Sequence, residues 1–201
     1  MSMPVYGAGY DPVKKWKYLQ NTFFEAVARK DWEEVSDLLL LNPDLMAQEL
    51  SYVYPDLPPE YKFSIPVQSH THNGDRIPAV RKFVRQARKW APLEKRLPPE
   101  LAALPEITVY RAGAERPEEA PCRISWTTSP AVAGWFYRRS VARNRPPRHL
   151  YRGVILPEKV IWYTNDRQEH EVMQYRNVRK ITELDPERFL GENPQEIPLG
   201  T

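Results

Sequence analysis

The chain has 201 residues, with 21 Pro, 8 Gly, a single Cys and a net charge of +3. Hydrophobic residues at 41% and charged residues at 27% support a packed core and exclude general disorder. One Cys, Cys122, excludes a disulfide framework and a thiolate metal cluster, and no run of roughly 18 apolar residues offers a membrane span.

The start, from Met1 to Trp16, has no apolar stretch of the kind a secretory signal carries, so a cytoplasmic protein is expected. Asp11-Pro12 predicts a helix N-cap followed by Pro at the first helical position. Trp16, Leu19, Phe23 and Val27 then recur at helical spacing. Asp31 and Glu34 have capping-box spacing, and Trp32, Val35, Leu38 and Leu39 continue an apolar face up to Asn42-Pro43. Residues 51–75 carry four Pro and read as loop. Pro78 opens a further helix with Val80, Phe83, Val84 and Ala87 inward and Arg81, Arg85 and Arg88 outward. Residues 92–105 are punctuated by Pro and read as a connector.

After Pro105 the hydrophobic period changes from helical to alternating. Strands are expected at 107–111 and 123–127, with Ile124 and Trp126 on one face and Ser125 and Thr127 on the other. Pro130 begins a helix that ends at Asn144-Arg-Pro-Pro147. Four more strands are expected at 149–156, 159–163, 169–175 and 178–183, with a turn at 164–168. The fold class is therefore α+β: a helical region over 1–104, then a mostly antiparallel sheet with one inserted helix over 105–201.

Charge is unevenly spread. From Ala120 to Pro157 there is no Asp or Glu, while seven Arg occur: Arg123, Arg138, Arg139, Arg143, Arg145, Arg148 and Arg152. Such a run either faces an anion or is a solvated basic surface.

Three features of this half follow in order. Arg111 ends the first strand in Val-Tyr-Arg-Ala-Gly113, Ser125-Trp-Thr127 forms the second, and Glu169-His-Glu171 opens a later one after a polar turn. This order resembles the Arg–Ser–Glu class of mono-ADP-ribosyltransferases, and the tract from Ser125 to Phe136 looks like the corresponding run of bacterial and phage members. The resemblance covers about residues 105 to 185 and implies a split, mostly antiparallel sheet. It implies NAD as co-substrate, with no metal. Glu171 would stabilise the positive charge developing at the ribose anomeric carbon, because nicotinamide departs neutral and needs no general acid. Glu169, two residues earlier on the same strand face, would orient or deprotonate the incoming nucleophile. Arg111 would clamp pyrophosphate or ribose oxygens through its bidentate fork, and Ser125 and Thr127 would hold Glu171 and the ribose side. In the interval where the family has its phosphate–nicotinamide loop, Arg138, Arg143, Arg145 and Arg148 would meet phosphate or target, and Tyr163, before the turn, would stack on substrate or target. The family's middle motif is often Ser-Thr-Ser. Here Trp126 stands in the middle and should point to the other face of the sheet.

The resemblance leaves the acceptor open between a protein arginine, favoured by the Glu-x-Glu form, and RNA or DNA, favoured by the basic surface. Small members of the class often act as toxins or defence proteins, which implies a neutralising antitoxin or immunity partner. The competing reading is a non-catalytic nucleic-acid-binding protein. A glycosidase with Glu169 and Glu171 as its carboxylate pair is disfavoured, because such pairs flank the scissile bond from opposite sides. His70 and His72 have strand-like i, i+2 spacing but fall in predicted loop, so no metal site is assigned to them. Cys122 has no evident base and is not assigned as a nucleophile.

Overall fold

The computed structural model describes residues 11–74, 77–143, 149–166 and 168–193. The chain divides into two compact units, Met1–Phe83 and Val84–Thr201. The first is built of helices. α1 (Pro12–Arg29) starts where Asp11 accepts hydrogen bonds from Val13 N and Lys14 N, and α2 (Trp32–Leu41) starts where Asp31 accepts one from Glu34 N. Both caps are those expected from the sequence, because a short acidic side chain satisfies backbone donors that a helix start leaves unpaired. α3 (Pro43–Val53) follows directly. Phe23, Ala26, Val35, Leu39, Leu45, Met46 and Leu50 close the core of this unit and are fully buried.

The loop expected at 51–75 is instead largely α4 (Pro59–Asn73), with Pro66 in its interior. An interior Pro removes one helical hydrogen bond, which leaves the carbonyl four residues earlier without its donor. Here that carbonyl belongs to Lys62, and the Tyr54 hydroxyl donates to it at 3.0 Å. A side chain from outside the helix, eight residues earlier in the chain, thus compensates what Pro density in the sequence marks as a break.

A 3-10 turn, Pro78–Val80, leads into α5 (Arg81–Ala87), as Pro78 suggested. Residues 84–104 belong to the second unit. Two short helices there, α6 (Leu93–Arg96) and α7 (Pro99–Ala102), pack Leu93, Leu97 and Leu101 into the sheet's core. Arg96 is buried and donates to the carbonyls of Ala91 and Val160. A guanidinium with several fixed donors can satisfy isolated carbonyls that no helix or strand reaches.

The sheet of this unit has six strands: β1 (Ile107–Gly113), β2 (Ser125–Thr127), β3 (His149–Ile155), β4 (Trp162–Thr164), β5 (Glu171–Met173) and β6 (Arg179–Leu184). Their order is β4-β5-β2-β1-β3-β6, and every pairing is antiparallel. This is the α+β class expected. The half β4-β5-β2 joins the half β1-β3-β6 through a single registered pair, Tyr110 with Thr127. α8 (Pro130–Ala142), capped by Ser129, covers one face, where Ala133 and Phe136 meet Tyr110, Ala112 and Leu150. α9 (Pro186–Glu192) adds Phe189 to that layer. The other face holds Ile107, Val109, Trp126, Tyr151, Ile155 and Val172. Among the described residues no helix is long and apolar enough to cross a membrane.

Gly153 lies where β3 bulges against β6. A Cβ there would overlap Val178 Cγ1 and approach the Arg179 carbonyl at 3.1 Å. Gly153→Ala is expected to destabilise the unit by about 1–3 kcal/mol, the usual cost of overpacking, measurable as a lowered urea midpoint.

Candidate active site

The turn between β4 and β5 sets the position of Glu171. Asn165 closes it twice: its carbonyl accepts from Gln168 N at 2.9 Å and its side-chain oxygen from His170 N at 3.1 Å. Thr164 Oγ1 accepts from Asp166 N at 3.2 Å. Gln168 and His170 both have left-handed backbones, with φ of 57° and 47°. Such residues reverse the chain sharply but interrupt strand alternation. Strand β5 therefore begins only at Glu171. The expectation that Glu169 and Glu171 share a strand face is corrected: Glu169 lies on the turn, before a left-handed residue. It stays close to the strand because its carbonyl accepts from Thr127 Oγ1 at 2.7 Å.

Cross-strand partners point to one face of a sheet. Glu171 pairs with Thr127 of β2 on one side and Thr164 of β4 on the other. Thr127 pairs in turn with Tyr110 of β1, and Tyr110 with Arg152 of β3. Glu171 is only 7% exposed, and Thr127 and Thr164 are as deeply buried. A carboxylate is thus held in a low-dielectric row between two hydroxyl-bearing neighbours, with an exposed guanidinium on the same face. Among the described residues Arg152 has no ion pair. Ser125 shares this face by alternation, and Trp126 points the opposite way and is 2% exposed, as expected. Thr127 also accepts from Ser129 N at 3.0 Å, which links it to the start of α8. Thr127→Val would strand that donor and the Glu169 carbonyl. The expected loss is about 1–3 kcal/mol in a denaturant melt.

Arg111 departs from its expected place. It follows Tyr110, so its side chain leaves the opposite face of β1, the face of Trp126 and Tyr151. Its Nε forms an ion pair with Glu115, and its Nη1 donates to the Ser125 carbonyl, in the gap where β1 parts from β2. Register thus does not bring Arg111 and Glu171 onto one face. Glu115 is 6% exposed and also lies 3.6 Å from Arg123 Nε. Burial pushes its carboxyl up, but the charge and hydrogen bond of Arg111, with Arg123 behind, outweigh this and hold it below the usual carboxylate range. Gly113 has no room for a Cβ, which would overlap the Glu115 carboxylate. Tyr151, fully buried, donates its hydroxyl to the Glu115 carbonyl. Burial, helped by the charges of Glu183 and Glu115, pushes the Tyr151 hydroxyl up to about 12.

The remaining sequence candidates separate. Tyr163 pairs with Val172, so it lies on the Trp126 face and packs with that core, its hydroxyl hydrogen-bonded to His170 Nδ1 at 3.0 Å. Its ring thus lies on the face opposite Glu171. Burial, then the charge of Glu100, raises its hydroxyl. Arg138 donates to the Leu190 carbonyl at 3.3 Å, and Arg143 ends α8 exposed to solvent. Arg145 and Arg148 lie outside the described residues. His70 and His72 sit on α4, where two residues of spacing turns them to different sides: His70 is buried and His72 exposed. Among the described residues no cluster of His, Cys, Asp or Glu is arranged to hold a metal.

Sequence reasoning missed Glu115 and Thr164. Glu115 follows Arg111 by four residues, a spacing with meaning on a helix but none beyond a strand end. Thr164 had one usable signal, its place opposite Glu171 across the polar turn. Comparison with known proteins finds no match to the chain among family models, curated proteins or solved structures.

Proposed function

We propose that the chain is an NAD-dependent mono-ADP-ribosyltransferase acting on a macromolecular acceptor in the cytosol, as a toxin or defence protein with a neutralising partner. One observation carries the reading: the Arg, Ser-x-Thr and Glu elements, some 60 residues apart from first to last, fall on the adjacent strands β1, β2 and β5, with Thr127 directly opposite Glu171. The residues fit the co-substrate, since a buried carboxylate flanked by two threonines suits a ribose and a charge that appears beside it. NAD supplies the ADP-ribosyl group and a neutral leaving nicotinamide.

Glu171 stabilises positive charge at the anomeric carbon, most strongly when that charge is largest. Thr127 and Thr164, its cross-strand neighbours, flank its carboxylate. Glu169, on the turn, takes the proton of the acceptor's nucleophile as that nucleophile bonds to the anomeric carbon. Arg111, engaged by Glu115 and the Ser125 carbonyl, braces β2 beside Glu171. Arg152, on the Glu171 face and about 14 Å away across three strand spacings, meets the phosphates.

The test is incubation of the protein and a cell lysate with NAD labelled in the adenylate part. Label is expected to pass to a macromolecule with wild-type protein and not with Glu171→Ala. No label transfer and no nicotinamide release by wild type would end the proposal. Arg152→Ala should raise KM for NAD with kcat nearly unchanged.

A further inference from the structure

A second constellation lies beyond the other end of β5. The guanidinium of Arg85, on α5, stands 3.9 Å from the Tyr175 ring centroid, and that of Arg176 stands 5.3 Å from it. Among the described residues no carboxylate forms an ion pair with either arginine. Two like charges gathered on one ring repel each other, and a ring quadrupole offsets only part of that repulsion.

The turn that presents Tyr175 and Arg176 is over-determined. Gln174 is fully buried; its Nε2 donates to the carbonyls of Pro121, at 3.0 Å, and Arg123, and its Oε1 accepts from Asn177 N at 2.9 Å. Arg176 N donates to the Pro121 carbonyl at 2.7 Å. Arg176 is held at φ 56°, a left-handed backbone that a long side chain adopts only when its surroundings compel it. A buried amide with every polar atom engaged therefore fixes an exposed arginine in a strained conformation.

The occupant follows from the chemistry. Guanidinium forks match phosphate oxygens, and guanidinium and phenol planes offer stacking faces to a base. A plain acidic peptide would use the charges and leave the planes idle. A duplex hides its base faces. Tyr175 lies four residues beyond Glu171, so at most about 14 Å of backbone separates them, and Pro121 and Arg123, hydrogen-bonded to this turn, open a stretch, Ala120 to Pro157, that holds no acidic residue.

We propose that the Arg85–Tyr175–Arg176 stack docks single-stranded nucleic acid, the macromolecular acceptor of the transfer. Its role as acceptor rests on the transferase reading, whereas the docking does not. The test is fluorescence anisotropy of the full chain with a labelled oligouridylate, a duplex of equal length and a phosphoserine peptide, each over a range of salt. The single strand is expected to bind tightest. Arg85→Ala with Arg176→Ala should weaken it at least about 10-fold and flatten the salt slope by about 1.4, for two lost phosphate contacts. Tyr175→Leu should weaken it about 5-fold or more with the slope kept. Arg85→Lys, which keeps the charge and loses the plane, should fall between wild type and Arg85→Ala, and matching circular dichroism spectra check that all variants fold. Equal affinity of wild type and the double variant, or equal binding of strand, duplex and peptide, would overturn the proposal. Oligonucleotide binding by a protein that never turns over NAD would keep the docking and remove the transferase reading; NAD turnover without oligonucleotide binding would do the reverse.

Discussion

On the proposed transferase reading, replacing Glu171 by glutamine is expected to lower nicotinamide release from NAD by about 10²–10³-fold, the usual cost of removing one preorganised electrostatic element. The substitution keeps size and shape while removing the charge and turning one acceptor oxygen into an NH2 donor. Glu171 is 7% exposed between Thr127 and Thr164, so little solvent screens its interaction with charge that develops beside it. The loss should appear in kcat rather than KM, because the carboxylate meets its partner charge only as the glycosidic bond opens. The folded state should survive, since an amide is easier to bury than a carboxylate. Glutamine turnover within a few-fold of wild type would remove Glu171 from the chemistry. Glu169→Gln serves as a second probe: acceptor transfer should fall more than hydrolysis by water, because only the macromolecular nucleophile must be oriented on the turn.

The second large effect is on stability. Glu115→Ala is expected to cost about 3–5 kcal/mol, the range for breaking a buried ion pair from one side. Both ends are desolvated, with the Glu115 side chain 4% and the Arg111 side chain 20% exposed. Truncation leaves Arg111 without its carboxylate in a site shaped around it, down to the Cβ-free Gly113. Arg123, 40% exposed and 3.6 Å away, is well screened and contributes little. Urea unfolding at neutral pH checks the figure, and an unchanged midpoint would contradict it.

The same pair predicts an acid limb. The folded-state pKa of Glu115 is depressed, so its stabilisation is complete above the unfolded-state value of about 4.3. It is lost as pH falls through the lower folded-state value. Wild type should therefore lose stability below roughly pH 4, and Glu115→Gln should show a shallower decline over the same interval.

The legible parts of this protein were those where local physics is decisive. Asp11 and Asp31 cap helices because a short acidic side chain reaches backbone donors within its own turn. Alternation placed Trp126 opposite Ser125 and Thr127, because strand geometry leaves no other choice. The illegible parts are those where a distant group overrides local preference. α4 survives Pro66 because Tyr54 supplies a donor from another segment. Glu169 and Glu171 fail to share a face because Asn165, Thr127 and a left-handed His170 shape the turn before the strand begins.

Periodicity and capping residues were enough to determine a helical first part and a later, mostly antiparallel sheet. Register was a tertiary decision. Only the pairing of Thr127 with Glu171 and Tyr110 set the carboxylate among hydroxyls, and only the parting of β1 from β2 turned Arg111 away to Glu115. A one-residue shift in strand pairing reverses every side chain, and no local preference in a short strand is large enough to choose between the two registers without the packing of both sheet faces.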